Sequence, residues 1–402
     1  MRRDSSRWLS VLAVGFGCLV YLLGAMSRVA VPGMVFDQVM ADYGLTHAQV
    51  AWLPSVGVFG CLAFIGIGGV CVDRFGWARM LLVGSLVQAA GYIPVHESSS
   101  LGLMLAGEFV NGGGRTIVYL SILKLFDVSF NRRNFAALIG VFYLFSYGGT
   151  LCASAVFPWL MARCGSWQLA ARAVNYGTVG CAAAIALLAG ALRQPVRGGP
   201  TRDAFPWRFM LASFRQPRAR LAMTVAGLNI AVYWSFLCVS APSFAKSLGA
   251  GSLVSEMNAV VMVGMVFMGS VSLALGNARR PFFLWGAGAL AAAFALLLGA
   301  ALVGAEGVAP YRTAYLLVGA GYGVTSVLLA GTKECVPIAY MASAIGFTNF
   351  FANIVQIGGN QASGRLMALG PAGYPWIFAL YLAISTLSLL AALRFVRTPP
   401  QA

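Results

Sequence analysis

Glu108, Gly112, Arg115 and Tyr119 stand at i, i+4, i+7 and i+11 in the stretch GEFVNGGGRTIVY. On a helix that spacing puts all of them on one face. They lie inside an apolar run, residues 101–125, long enough to cross a bilayer as one helix. An ionisable side chain at membrane depth costs about 2.5–3.5 kcal/mol on insertion scales, so it faces a partner or a water-filled cavity. A guanidinium is always charged and grips a carboxylate or phosphate with two hydrogen bonds. Arg115 is therefore expected to bind an anionic solute. The other reading of Arg115 is an internal ion pair that shapes the bundle. Glu108 is expected to couple proton movement, because a buried carboxyl beside a cation can exchange its proton as its surroundings change. A static Arg28–Glu108 bridge is the alternative. Gly112, Gly113 and Gly114 let another helix or a ligand approach the backbone.

The elements that must hold these residues are apolar. The chain has 402 residues, 59% hydrophobic and 9% charged, with mean hydropathy +0.81, whereas a soluble domain carries about 25% charged residues. Long apolar runs without period-2 alternation argue for membrane helices and against a β-barrel. Twelve runs are read, which predicts an all-α membrane protein with twelve transmembrane helices. Residues 1–192 are expected to form one six-helix bundle and residues 220–402 the other. Residues 193–219, rich in Arg and Pro, form a basic cytoplasmic linker. The opening MRRDSSR is signal-like, but the run after it is too long for a signal h-region and is kept as the first span.

The net charge of +16 is sorted by side. Most Lys and Arg fall in or beside segments that share the side of the N-terminus. The exceptions are Arg163, Arg172, Lys246, Arg312 and Arg365 on the other side, with Arg28 and Arg115 within spans. This pattern places both termini in the cytoplasm, in an inner or plasma membrane. The basic balance is thus a topology signal, and no nucleic-acid partner is expected. The eight cysteines form no CxxC pair and read as small buried hydrophobes. With His47 and His96 both near helix ends, neither a metal site nor a cofactor is expected.

Depth can also be read. With the first run centred near Leu22, Arg28 lies about 9 Å toward the outer side, and Glu108 about 7 Å to the same side of the fourth run. Arg28 and Glu108 therefore share a depth. Arg115 sits near the midplane, about 10 Å along the helix from Glu108, with no acidic partner evident in its own half.

Between the second and third runs lies GGVCVDRFGWAR, with Gly69, Asp73, Arg74, Gly76 and Arg79 in fixed spacing. Gly69 is expected to permit close packing and Gly76 a tight turn. This pattern resembles the loop signature G-x-x-x-D-R-x-G-x-x-R/K of the major facilitator superfamily. The resemblance implies two six-helix bundles related by a pseudo-two-fold axis around a central cavity, working by alternating access. It also implies a gating role for Gly69, Asp73, Arg74, Gly76 and Arg79. Asp73 would stabilise the outward-open state at a helix N-terminus near residues 337–339. Glu108 stands where the family pattern of the fourth helix has Arg. The Gly-Pro pair of the family's antiporters is absent from the fifth run. Arg28 followed by Pro32, together with LKLFDVSFNRRNFAALIG, is similar to the sugar-phosphate permease and anion:cation symporter branches. There the corresponding Arg contacts an organic anion, which implies that role for Arg28.

The second half is poorer in charge. Asn229 and Tyr233 in the seventh run are candidate solute contacts, as are Tyr119 and Tyr147. Asn349, Asn353, Gln356 and Asn360 form a polar stripe on one helix face. Such a stripe either lines a cavity, with Asn349 and Asn353 as contacts, or ties helices together at about 0.6 kcal/mol per hydrogen bond.

The function expected is secondary active transport of a small organic anion, driven by a proton or ion gradient, by a monomer in the bilayer. Efflux of an amphipathic or neutral solute is the alternative within the same class. A non-transporting solute sensor is the alternative of a different class. An enzyme ranks last, because no nucleophile–base pair, metal cluster or phosphate loop is found in the sequence.

Overall fold

The computed structural model describes residues 2–129, 135–191, 216–276, 278–336 and 341–398. Among these residues every regular element is a helix. The chain divides into two compact units, Met1–Leu45 with Trp52–Asp203, and Thr46–Ala51 with Ala204–Ala402.

The first unit holds α1 (Arg2–Ala30), α2 (Phe36–Tyr43), α4 (Trp52–Phe75), α5 (Trp77–Glu97), α6 (Leu101–Ser129), α7 (Phe135–Cys164) and α8 (Trp167–Ala191). The short α3 (His47–Val50) clusters with the second unit. That unit continues with α9 (Pro217–Ser235), a π-helical turn (Phe236–Ser240), α10 (Ala241–Ser247), α11 (Ser252–Ala274) and α12 (Arg280–Val303). It ends with α13 (Ala309–Gly323), α14 (Thr325–Glu334), α15 (Met341–Met367) and α16 (Gly373–Arg397).

Ten stretches of the described residues are long and apolar enough to cross a membrane. Two further helices have spanning length, α6 with 29 residues and α15 with 27, and are not among the ten. They carry Glu108, Asn111 and Arg115, and the Asn349–Asn360 stripe.

Three apolar runs are not single helices, and each break has a local cause. The first run stops at Ala30, because Pro32 disfavours helix at the residue before it. The seventh run contains the π-helical turn, one turn before Pro242. Proline clashes with the carbonyl four residues back, here Cys238, and the widened turn relieves that clash. The tenth run is cut at Val324, directly after Gly321-Tyr322-Gly323, where glycine weakens the ladder.

In the first unit α6 packs between α4 and α5, while α1 packs on α7 and α8. The approach to α4 is backbone on backbone. A Cβ on Gly112 would collide with the carbonyl of Gly57, and one on Gly60 with the carbonyl of Phe109. Toward α5, a Cβ on Gly114 would collide with the backbone of Gln88, and Asn111 Nδ2 donates to Gln88 O at 3.0 Å. The glycines thus receive helices, as small residues do in membrane packing. Below them Leu81, Val118, Ile122, Leu125 and Phe126 form the apolar core.

The second unit repeats the arrangement. Helix α13 packs between α11 and α12, and α9 packs on α15 and α16. A Cβ on Gly264 would lie 2.7 Å from Gly323 Cα, and one on Gly321 would lie 3.0 Å from Gly286 O.

Candidate functional site

The site starts from Gly57 on α4, which leaves room where a side chain would stand. A Cβ there would lie 2.8 Å from Glu108 Oε2 and 3.5 Å from Arg115 Nη2. Glu108 and Arg115 project from α6 two turns apart, and the side chains of both reach the space beside this glycine. Both are buried, at 3% and 6% exposure. Arg115 is the strongest electrostatic neighbour of Glu108, and Arg28, in the last turn of α1, is the next. No direct ion pair joins Glu108 and Arg115 among the described residues, in line with the separation of about 10 Å between them along the helix.

The pair is not saturated. Glu108 Oε1 and Arg115 Nη1 are buried and have no hydrogen-bond partner among the described residues. Arg115 Nη2 reaches Cys61 Sγ at 3.8 Å, and the Cys61 thiol donates to Gly112 O at 3.3 Å. Thr116 Oγ1 donates to the carbonyls of Cys61 and Gly112 at 3.4 and 3.2 Å. Cys61 is half-buried and stands beside the charge pair, which corrects its reading as a hydrophobe. Gly57 and Cys61 are one helical turn apart, opposite Gly112. That spacing is a signal in the sequence, but it names a site only once the facing helix is known.

An aromatic cluster flanks the pair. Tyr21 on α1 lies 6.1 Å from Tyr119 and 4.5 Å from Phe142, ring centre to ring centre. Tyr143 lies 5.8 Å from Phe142 and 6.1 Å from Tyr147. Tyr21 also feels the charges of Arg115 and Arg28. Of the candidate contacts in this unit, Arg28, Glu108, Arg115 and Tyr119 thus gather around one locus, with Tyr147 at the far edge of the cluster.

In the second unit Asn229 and Tyr233 are hydrogen-bonded to neighbouring helices, and Asn229 Nδ2 is buried without a hydrogen-bond partner among the described residues. Asn229 is fully buried, and its Oδ1 accepts from Ser388 Oγ at 3.0 Å. The Tyr233 hydroxyl donates to Asn258 Oδ1 at 2.7 Å. Its ring stacks on Tyr322 at 3.8 Å and 7°. Trp234 Nε1 donates to the Tyr322 hydroxyl at 3.0 Å. Asn258 was not singled out from the sequence. Asn349 and Asn353 are half-buried on α15, while Gln356 and Asn360 are buried.

The loop signature is partly described. Gly76 has φ +86° as it opens the turn into α5, a conformation that favours glycine. A Cβ on Gly69 would meet nothing within 4 Å, so close packing is not what that glycine provides. Arg74 and Arg79 are exposed, with Arg74 5.6 Å from the centre of the Phe75 ring. The side chain of Asp73 lies outside the described residues, as do residues 337–339 and most of the linker.

The model of the Major Facilitator Superfamily matches residues 17–360. The chain is 27% identical over 139 residues to a triacylglyceride transporter of Mycolicibacterium smegmatis, covering 34% of this chain and 25% of that protein. It is 25% identical over 122 residues to monocarboxylate transporter 4 of Mus musculus, covering 30% of this chain and 26% of the relative. The matched stretch thus spans about a quarter of the length of these relatives. Among solved structures, a bacterial homologue of the human lysosomal transporter Spinster, inward-facing and unoccupied, superposes with TM-score 0.74 at 14% identity. That likeness covers 98% of this chain and 99% of the other. The peptide transporter POT, in complex with sulfate, superposes with TM-score 0.74 at 13% identity, covering 98% and 96%. The structural likeness is one of fold, and the family match supplies the identity: the chain is a multi-pass membrane protein that belongs to the Major Facilitator Superfamily of transporters.

Proposed function

We propose that this chain is a secondary active transporter of a small organic anion, coupled to a proton and working by alternating access. The reading is carried by the buried pair over Gly57, in which Glu108 Oε1 and Arg115 Nη1 are held without hydrogen bonds. Buried polar atoms left unpaired cost about 1–3 kcal/mol each, more when charged. Such a cost is maintained where another partner satisfies the atoms in part of the cycle. A carboxylate solute would give Arg115 that partner, and a proton would give one to Glu108. The relative named a monocarboxylate transporter supports the choice of anion.

In this reading the chain has twelve spans, with both termini in the cytoplasm of an inner or plasma membrane. Residues 1–192 and 220–402 are its six-helix halves, residues 193–219 the linker, and a monomer the working unit. Arg115 binds the solute, with Arg28, Tyr119 and Tyr147 near it, and Glu108 carries the proton. Asn229, Tyr233, Asn349 and Asn353 serve as the contacts of the second half. Gly69, Asp73, Arg74, Gly76 and Arg79 form the gating loop.

Proteoliposomes holding the purified protein test this with radiolabelled L-lactate as the probe monocarboxylate. Uptake that rises when the outside is acidified, and that disappears in Arg115→Ala, is expected. Uptake unchanged in Arg115→Ala would overturn the anion reading. The triacylglyceride-transporter relative favours a second reading, efflux of an apolar solute. Movement of a labelled acylglycerol, with lactate not moved, would put that reading first.

A further inference from the structure

On the second unit, α11 and α12 both lean on α13 and leave an apolar groove above it. Its walls are Val263, Met268 and Val271 of α11 with Phe282 and Trp285 of α12, and Ala320 of α13 is on the floor. The cavity measures about 410 Å³, a size typical of ligand pockets, which run from about 300 to 1,000 Å³. It follows α11 from Val260 to Leu275, a rise of about 22 Å, which exceeds the depth of one hydrocarbon leaflet, about 15 Å. The walls stand open: Val263 is 51% exposed, Leu275 57% and Trp285 53%. Trp285 is held upright by its Nε1 donating to Ala320 O at 3.3 Å.

The turn beyond one end of the groove is charged. Leu275 and Pro281 line that end, on either side of the α11–α12 turn that carries Arg279 and Arg280. Arg279 is committed to Glu334 at 2.8 Å and to Ser272 Oγ at 2.8 Å. Arg280 is exposed at the first position of α12 and has no acidic partner among the described residues. A long apolar groove whose end lies one residue from exposed Arg280 matches an amphiphile with an apolar tail and an anionic head. A peptide segment or a wholly apolar solute would leave one of the two features unused.

We propose that this groove holds one acyl chain of an anionic phospholipid, with the phosphate group at Arg280. The site lies within the second unit and is distinct from the Glu108–Arg115 locus, so it stands whatever solute is carried. Bound there, the lipid bridges α11 and α12 over α13.

The full-length protein is reconstituted into vesicles of phosphatidylcholine with a minor share of phosphatidylglycerol carrying a photoreactive group on its acyl chain. Adducts are located by peptide mass spectrometry, and the same label on phosphatidylcholine serves as comparison. Adducts concentrated on α11 and α12 at the groove are expected, with phosphatidylglycerol favoured about fivefold. Arg280→Gln should erase the headgroup preference and leave the adduct positions unchanged. Ala320→Phe, which raises the floor, should remove the groove adducts of both lipids. Arg280→Gln stands alone as a test if Ala320→Phe fails to fold. Adducts spread evenly over the exposed apolar helices would overturn the proposal. Equal labelling by the two lipids, or a second copy of the chain cross-linked through the groove, would overturn it too.

Discussion

Both units pack one glycine-rich helix between two neighbours, and they differ in what that helix carries. Helix α6 brings Glu108 and Arg115 to Gly57 and leaves Glu108 Oε1 and Arg115 Nη1 unbonded. Helix α13 brings Tyr322, which is stacked on Tyr233 and accepts from Trp234. The Tyr233 hydroxyl is in turn bonded to Asn258. The same packing solution therefore supports opposite polar strategies. A satisfied neutral network fixes helix positions at little cost. A buried charge pair with orphan atoms is costly unless another partner relieves it, which suits a locus that changes occupant.

The largest test of this contrast removes one charge. Arg115→Met leaves the buried Glu108 carboxylate with Arg28 as its remaining cationic neighbour, and leaving a buried charge less compensated costs about 1–3 kcal/mol. Thermal unfolding in detergent should show that loss. Glu108→Gln with Arg115→Met should recover most of it while lactate uptake stays absent. Additive losses in the double variant would mean that the two groups do not interact. Glu108→Gln alone should retain the fold and the solute site. Its uptake should no longer respond to an imposed pH gradient, and a retained response would move proton coupling elsewhere.

A smaller effect comes from Gly57→Ala. The added Cβ would lie 2.8 Å from Glu108 Oε2, the far end of a flexible side chain that can move aside. Stability should fall by about 1 kcal/mol while uptake falls more steeply, since the geometry of the pair changes. A loss of stability with uptake unaltered would make Gly57 a packing residue only. The smallest effect belongs to the neutral network. Tyr322→Phe removes the acceptor for Trp234 Nε1 and should cost about 0.6 kcal/mol, the average for hydrogen bonds between membrane helices. Uptake should change little, and a large loss would place Tyr322 among the solute contacts.

The sequence by itself determined that this is a helical membrane protein, that GGVCVDRFGWAR resembles a family loop, and that Glu108 and Arg115 share one helix face. Hydropathy, charge asymmetry and the spacing of residues along a helix are local properties, so they can be read without knowing any neighbour. The breaks at Pro242 and Val324 were also written locally, as a proline and a glycine pair. Tertiary structure alone decided that Gly57 stands opposite the pair, that Cys61 flanks it, and that Gly112 and Gly114 receive helices. It alone decided that Asn229 bonds Ser388, that Tyr233 bonds Asn258, and that a Cβ on Gly69 would meet nothing within 4 Å. Each of these depends on which helix lies across from which and at what register. Small residues set that choice by backbone approach, and the approach leaves no periodic signal in either helix alone.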